Sequence, residues 1–252
     1  MKGFLEEYGL IIVVVAVILL MLLFGKSGYA KSIQDAILGS ADHIVETGEN
    51  ITKKEINVKT GDVLEIEGTK YIVIRYEKNN KPLVMSLENI ESVAFQPTSR
   101  SDGQNQSTYE GSKIDNYLEN EWYNGLSSTM KTAIQTTNIK QVSYDIRKDK
   151  QETGYDGQIY NTIHRHVFLP SVEDLNEIIN LNDSTQIKKF TNKKDVWSRD
   201  SYDRGDYFAM YLNSNYGWLD SYTVCGNLGT RPTFVIDLSK VDYTEAGHTD
   251  YK

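Results

Sequence analysis

The apolar run from Leu10 to Phe24 constrains this chain more than any other stretch, because its fifteen residues include no polar side chain. As a helix the run rises about 22 Å, and the two residues before it add a little toward the roughly 30 Å hydrocarbon core of a bilayer. Lys26 follows and can place its ammonium among the lipid headgroups. We therefore expect residues 9–24 to anchor the chain in a membrane.

Two alternatives to a retained anchor stay open. The triplet Gly-Tyr-Ala at 28–30 suits cleavage of a secretory signal before Lys31, although Glu6 and Glu7 make the leading region unusually acidic. The letters KGFLEEYGLI also resemble the start of Flp and other type IV-like prepilins. That resemblance implies cleavage between residues 3 and 4, although Glu7 would then be the fourth mature residue rather than the fifth.

The segment that follows the apolar run predicts a helical neck over residues 27–56. Its apolar residues form one helical stripe, which could also pair with other copies of the chain; they are Tyr29, Ile33, Ile37 and Ile44. Positive charge alone mildly favours an internal C-terminal side. The anchor and pilin interpretations both require it outside, so we expect a single-pass bacterial cell-membrane protein with an external head, or a head on a cell-surface filament.

Period-two alternation begins after the neck and indicates a globular domain. Leu64 and Ile66 alternate with glutamates, and the runs KYIVIRY and PLVMSL complete a predicted three-stranded meander. Helices are predicted after the capping residues Ser112 and Ser171, and TFVIDL predicts a closing strand. The expected division is an anchor (1–26), a neck (27–56), one domain (57–241) and a tail (242–252).

Composition argues against several function classes. The chain has 27 Lys and Arg against 35 Asp and Glu, a net charge of −8, and this balance does not suit a nucleic-acid partner. Its single cysteine, Cys225, allows no internal disulfide. Three aspartates at 200, 203 and 206 lack the spacing of a calcium loop, and His164 and His166 lack an evident third metal ligand. We expect no metal, no cofactor and no enzymatic activity.

The segment 199–227 has an unusual composition for the end of a folded domain. Of its 29 residues, 18 are Tyr, Asp, Ser, Asn or Gly, a mixture typical of antibody paratopes. We therefore expect it to form a surface for a protein or glycan ligand. The candidate contact residues are Asp200, Tyr202, Asp203, Arg204, Asp206, Tyr207, Asn213, Asn215, Tyr216, Trp218, Asp220 and Tyr222.

Several phrases between 57 and 241 resemble a bacterial domain family of unassigned function: GDVLEIEGTKYIVI, GSKIDNYLENEWYNGL, VFLPSVEDLN, VWSRD and GTRPTFVIDLSKV. That family is similar to C-type-lectin-like domains, in the branch shared by formylglycine-generating enzymes and the variable proteins of diversity-generating retroelements. The resemblance implies an α+β fold with a large irregular region before the last strand. It also implies that 199–227 is the surface which retroelement variable proteins diversify at adenines. A structural frame is expected from Trp197, Arg199, Gly229, Arg231 and Pro232.

Overall fold

A computed structural model describes residues 57–76, 81–98, 106–146 and 160–252, together with the backbone of 150–152. The expected anchor, neck and cleavage points all lie outside these described residues. Within them, no helix combines the length and the apolar character that crossing a bilayer requires.

Strands account for 40% of the structure and helices for 22%. The strands are β1 (Asp62–Ile66), β2 (Thr69–Tyr76), β3 (Pro82–Ser86), β4 (Glu91–Ala94), β5 (Ile134–Gln135), β6 (Thr137–Lys140), β7 (Ser143–Asp145), β8 (Lys150–Glu152), β9 (Thr162–Arg165), β10 (Val196–Tyr202), β11 (Phe208–Asn213), β12 (Trp218–Thr223), β13 (Asn227–Thr230), β14 (Thr233–Ile236) and β15 (Thr244–His248). The helices are α1 (Lys113–Asn116), a π-helix (Tyr117–Trp122), α2 (Tyr123–Gly125), α3 (Ser128–Ala133), α4 (Val172–Ile178), α5 (Ser184–Thr191) and a 3₁₀ turn (Leu238–Lys240).

The prediction of an α+β, C-type-lectin-like fold is wrong, because the described chain is mostly β-sheet. The expected irregular region before the last strand is where the prediction fails most clearly. Residues 199–227 lie largely in β10, β11 and β12 and extend to the start of β13. The physical reason is the frequency of Tyr, Phe and Trp, which favour a pleated, half-buried surface even among polar neighbours.

One sheet has six strands in the order β15-β1-β2-β3-β14-β5, and each neighbouring pair is antiparallel. The predicted meander of the first three strands is confirmed by their consecutive pairing. β14 lies between β3 and β5, and all four of its residues are buried. β15, near the end of the chain, lies beside the first strand.

The second sheet contains the Tyr-rich segment. Its main path is β12-β11-β10-β13-β4, and β7 and β8 extend it beside the end of β10. β10 therefore has a strand on both sides: β11 is antiparallel to it, while β13 and β7 are parallel. β12 lies at the sheet edge, where the described residues pair it with β11 alone.

Helices pack against strands of both large sheets, and their starts follow local sequence signals. Ser112 accepts a hydrogen bond from the amide of Asp115, and Ser171 and Asp174 form a reciprocal capping box, as predicted. One continuous apolar cluster includes residues from both large sheets, such as Leu64 and Trp197. β10 and β11 contribute buried residues to this shared core, and β12 pairs with β11 at the edge of the same sheet.

Candidate functional site

Trp197, at the start of β10, is part of the core. The ring is fully buried, its Nε1 donates to the carbonyl of Val93 at 2.9 Å, and it meets Phe95 edge-on at 5.8 Å between centroids. Its ring centroid also lies 6.2 Å from that of Tyr211 and 6.4 Å from that of Tyr222. Trp197 is therefore a core residue of β10 and is not available to a ligand.

Arg199 lies two residues further along β10 and belongs to a buried ionic network. Its guanidinium donates to the carbonyls of Lys140 and Leu169 and, at 2.7 Å, to the carboxylate of Asp174, which Arg75 also contacts. Burial alone would raise the pKa of Asp174, but the two arginines and the amide of Ser171 outweigh it and lower the pKa to about 2. The network joins β10 to helix α4 and is structural.

Asp200 was a candidate contact residue, but the structure buries it completely. Its carboxylate accepts hydrogen bonds from the amides of Val142 (3.1 Å) and Val172 (2.7 Å), so it joins a loop to the first turn of α4. Burial raises the pKa of Asp200 to about 6, although Arg199 and the two amides act in the opposite direction. The side chain works inside the domain.

The remaining frame residues are also buried. The backbone of Gly229 approaches so closely that an added Cβ would lie 2.1 Å from Asn89 and 2.6 Å from the carbonyl of Asp195. Arg231 donates to Asn89 and to the carbonyl of Phe190, and its guanidinium lies 4.3 Å from the Phe190 ring centroid. Burial lowers the pKa of Arg231 to about 10. Pro232, which follows, is buried as well.

Five candidate residues belong to the end of β10 and the turn that leads to β11. Tyr202, Asp203 and Tyr207 are half-buried, Asp206 is buried, and Arg204 is exposed. Tyr202 and Tyr207 both pack on Phe208, with centroid distances of 6.3 and 4.4 Å. The turn lies about 17 Å from the opposite end of β11, by strand rise alone. It therefore forms a separate, largely packed group.

The turn between β11 and β12 is held firmly in one conformation. Asn213 is buried, and its side-chain oxygen accepts the amides of Asn215 and Tyr216, each at 3.1 Å. Gly217 has φ +75 and donates to the carbonyl of Asn213 at 2.8 Å. An added Cβ at Gly217 would lie 2.4 Å from the carbonyl of Ser184. The turn is thus preorganised against the start of α5.

Three exposed rings lie on this turn and on β12, and we call Tyr216, Trp218 and Tyr222 the aromatic ledge. Their exposed fractions are 60, 49 and 44%. Tyr216 and Trp218 stack in parallel, 4.6 Å apart with a 10° angle between their planes. Trp218 and Tyr222 are four residues apart on one strand, so both side chains point to the same face. The sequence prediction included all three.

Asp220 lies between Trp218 and Tyr222 on that same face. Its Oδ2 accepts from Trp218 Nε1 at 3.2 Å and, more distantly, from the Tyr211 hydroxyl at 3.5 Å, while Oδ1 accepts the amide of Ser221 at 2.8 Å. Burial, and then the charge of Asp220, raise the pKa of Tyr211, so its hydroxyl stays protonated. The carboxylate of Asp220 is therefore held at a partly exposed position by donors from Trp218, Tyr211 and Ser221.

The position of Tyr222 depends on a neighbouring glycine. An added Cβ at Gly226 would lie 2.2 Å from the Tyr222 ring, so only glycine leaves room for the ring there. The other side of the Tyr222 ring approaches Tyr211, at 5.7 Å between centroids. The ledge is consequently built on buried aromatics rather than on mobile side chains. Asn215, the last candidate residue, is exposed beside it.

Two polar groupings lie outside the segment, and His166 is the one residue in them that the sequence had singled out. A cavity of about 80 Å³ is lined by Thr108, Tyr109, Glu110, Gln141, Tyr160, Asn161 and Ile163. Separately, His166 stacks on Tyr123 at 4.4 Å, and its ring nitrogens lie 2.7 Å from Glu119 and 3.1 Å from Thr136. Glu119 also accepts the amides of His166 and Val167, which ties the π-helix to the chain after β9. Both groupings bring together residues distant in sequence.

Metal ligation has no candidate in the part of the chain that the structure describes. No three or more His, Cys, Asp or Glu side chains come together there as a metal ion would require. Cys225 is exposed, and its thiol lies 3.8 Å from the Thr223 hydroxyl.

Comparison with known proteins gives one match. A family model described as "Domain of unknown function (DUF6273)" matches residues 79–238. No curated protein and no solved structure matches the chain. The matched range contains the aromatic ledge and its support, whereas β1, β2 and β15 of the six-stranded sheet lie outside it.

Proposed function

The chain belongs to this family (DUF6273), whose description assigns no activity, and we propose that it is a ligand-binding protein that uses the aromatic ledge. The single observation that carries the proposal is three exposed rings held on a rigid turn and edge strand around one carboxylate. Soluble proteins seldom expose clustered aromatics without use, and Tyr and Trp are enriched where binding energy concentrates. The ligand class is a protein or a glycan.

Preorganisation supports this proposal. The stacked pair Tyr216 and Trp218 follows a turn fixed by Asn213 and Gly217, so binding needs little ordering of the ledge itself. Side chains already in place lose less entropy when a ligand arrives. Buried Trp197 and Tyr211 beneath Tyr222 add the same rigidity at the other end.

The test uses alanine variants at the three ledge rings, with the full-length chain screened in mild detergent against a glycan array and an immobilised peptide library. We expect the melting temperature to stay nearly constant, while each ring removed from a hot spot costs about 2 kcal/mol of binding. Tyr76→Ala is the matched control, since Tyr76 is also an exposed tyrosine but lies in the other sheet. A triple variant that keeps every binding signal would contradict the proposal.

Display at the cell surface is part of the proposal and is supported by the apolar run at residues 9–24. The second candidate is a minor pilin-like subunit carrying the same head, which the resemblance of KGFLEEYGLI to prepilins favours. N-terminal sequencing of the protein from the cell envelope separates the two. A chain beginning at Phe4 identifies the pilin-like subunit, and an uncleaved chain identifies the membrane-anchored receptor or adhesin.

Diversification of the segment by a retroelement is a further part of this proposal, with a physical limit. Substitutions are tolerable at exposed positions such as Asn215, Tyr216 and Tyr222, but not at buried Asp200 or Asn213. Sequencing the genomic neighbourhood tests this. Diversification requires a near-copy of the coding segment, differing only at adenines, beside a reverse transcriptase gene.

A further inference from the structure

We propose that the aromatic ledge binds an arginine or lysine side chain, presented by an extended peptide that lies along the open edge of β12. This inference rests on the proposed binding function and specifies its ligand.

The arrangement of side chains on β12 suits a cation. Trp218, Asp220 and Tyr222 alternate with residues of the opposite face, so a carboxylate stands between two exposed rings. Neighbouring positions on one face are about 7 Å apart, which places a group bound to Asp220 within reach of both rings. Ring faces attract a guanidinium or ammonium within about 6 Å, and the carboxylate adds a charged partner.

Charge in the surroundings points the same way. Asp220 is the sole charged residue in sequence between Phe208 and Val224. A second carboxylate, that of Asp195, accepts hydrogen bonds from Ser214 in the turn and adds negative charge near the ledge. The net charge of the chain, −8, also favours a cationic partner over an anionic one.

Asp220 retains capacity for another donor. Its two oxygens offer about four acceptor positions. Three donors already approach them, from Trp218, Ser221 and Tyr211, and the last is at the long distance of 3.5 Å. These bonds orient the carboxylate and leave room for an arginine or lysine N–H.

The backbone of β12 indicates that the cation arrives on an extended chain. The amide of Val224 donates to the carbonyl of Tyr207 at 3.0 Å, so alternate residues of β12 face β11. Leu219, Ser221 and Thr223 consequently turn their backbone groups to the edge of β12 that no described strand covers. Two of these groups are used locally: the amide of Ser221 donates to the side chain of Asp220, and the carbonyl of Thr223 accepts from the amide of Gly226. The others can pair with an added strand.

The edge also lacks the usual protection against strand addition. Natural edge strands often contain lysine or proline, or a bulge, which prevent pairing with another chain. β12 has the sequence WLDSYT, and its register with β11 is regular throughout. A peptide of about six residues would cover it.

The experiment measures fluorescence anisotropy of a labelled heptapeptide, Thr-Val-Thr-Arg-Thr-Val-Thr, with the full-length chain in detergent. We expect replacement of its arginine by citrulline, a neutral analogue of similar shape, to weaken binding at least tenfold. Asp220→Asn should weaken the arginine peptide similarly and leave the citrulline peptide unaffected. Asp242→Asn, at an exposed carboxylate outside the ledge, is the matched control and should change neither.

The backbone is tested with N-methyl groups at alternate residues of the peptide, which remove strand-pairing amides. One of the two alternating sets should weaken binding at least tenfold more than the other. The inference is overturned if the arginine peptide fails to bind, if citrulline binds equally well, or if the two methylated sets behave alike. Glycan-array or peptide-library signals that disappear with the ledge rings would leave the proposed function standing in each of these cases.

Discussion

The tripeptide Asp-Ser-Tyr occurs in β10 at residues 200–202 and again in β12 at residues 220–222, each time shortly after a tryptophan. In β10, Trp197 and Asp200 are fully buried. In β12, Trp218 is 49% exposed and Asp220 is partly exposed. The same residue types therefore build the interior in one strand and a surface in the other.

The difference comes from the position of each strand in the sheet. β10 has neighbours on both sides and helix α4 packed against it, so its polar groups must find internal partners. β12 has one neighbour among the described strands and keeps its rings in contact with solvent. The two strands have similar compositions, so composition does not distinguish them. Their positions in the sheet decide that β10 is buried and that β12 is partly exposed.

The largest expected effect on stability comes from replacing one of the two tryptophans, Trp197, with alanine. Trp197→Ala should lower the free energy of unfolding by about 3–5 kcal/mol, because it leaves a large cavity and removes a buried hydrogen bond to the carbonyl of Val93. Trp218→Ala, the matched change in the other strand, should cost no more than about 1 kcal/mol. Urea denaturation measures both, and equal losses would contradict the contrast between the strands.

Asp174→Asn should cost about 3–5 kcal/mol, because it leaves the buried guanidinium of Arg199 without its carboxylate partner. The control is a double variant, Asp174→Leu with Arg199→Met, which removes both charges and should recover part of the loss. Chemical denaturation of the two variants tests this, and a double variant that is less stable than the single one would refute it.

Asp200, in the Asp-Ser-Tyr copy of β10, should also make the stability of the domain depend on pH. The pKa of Asp200 is raised to about 6 in the folded state, against about 3.9 in an unfolded chain. The folded protein thus binds this proton more tightly, and the free energy of unfolding should fall by about 3 kcal/mol as pH rises from about 4 to 6. Asp174, whose pKa is about 2, loses its contribution only as pH falls below about 4.

Denaturation at steps from pH 4 to 7 measures this effect. Asp200→Asn should remove the fall in stability, whatever its effect on the absolute free energy of unfolding. Parallel slopes for the parent and Asp200→Asn would show that Asp200 does not titrate in this window.

The smallest effect is expected at Tyr216, the most exposed ring of the ledge. Tyr216→Ala should shift the free energy of unfolding by less than about 0.5 kcal/mol, since the ring contacts solvent and Trp218. Thermal melts compare it with Tyr211→Ala, a buried tyrosine of the adjacent strand, which should be several times more costly. Similar melting temperatures for both variants would remove the distinction between ledge and support.

Local signals predicted the parts of the fold that depend on local physics. The alternation around Leu64 gave the meander, and the capping residues Ser112 and Ser171 gave the starts of two helices. TFVIDL gave the buried strand β14. Each of these depends on residues within a few positions of one another, so the sequence alone was sufficient.

Hydrogen-bonded pairing between strands distant in sequence could not be predicted in the same way. Asp, Asn and Gly are depleted in strands, so their abundance in 199–227 concealed β10, β11 and β12. The burial of Asp200 depends on amides 58 and 28 residues away, at Val142 and Val172. The candidate list therefore mixed the exposed ledge with internal residues, because only the order of strands separates them.

The pairing of β15 with β1 has a mechanical consequence. β1 is the first described strand and is bonded to β2 on one side and to β15 on the other. Antiparallel hydrogen bonds run perpendicular to their strands, so tension along β1 loads both rows in shear and must break them together. If the domain binds a ligand as proposed and is pulled through residue 57, the pairing of β15 with β1 would therefore add to its resistance to unfolding.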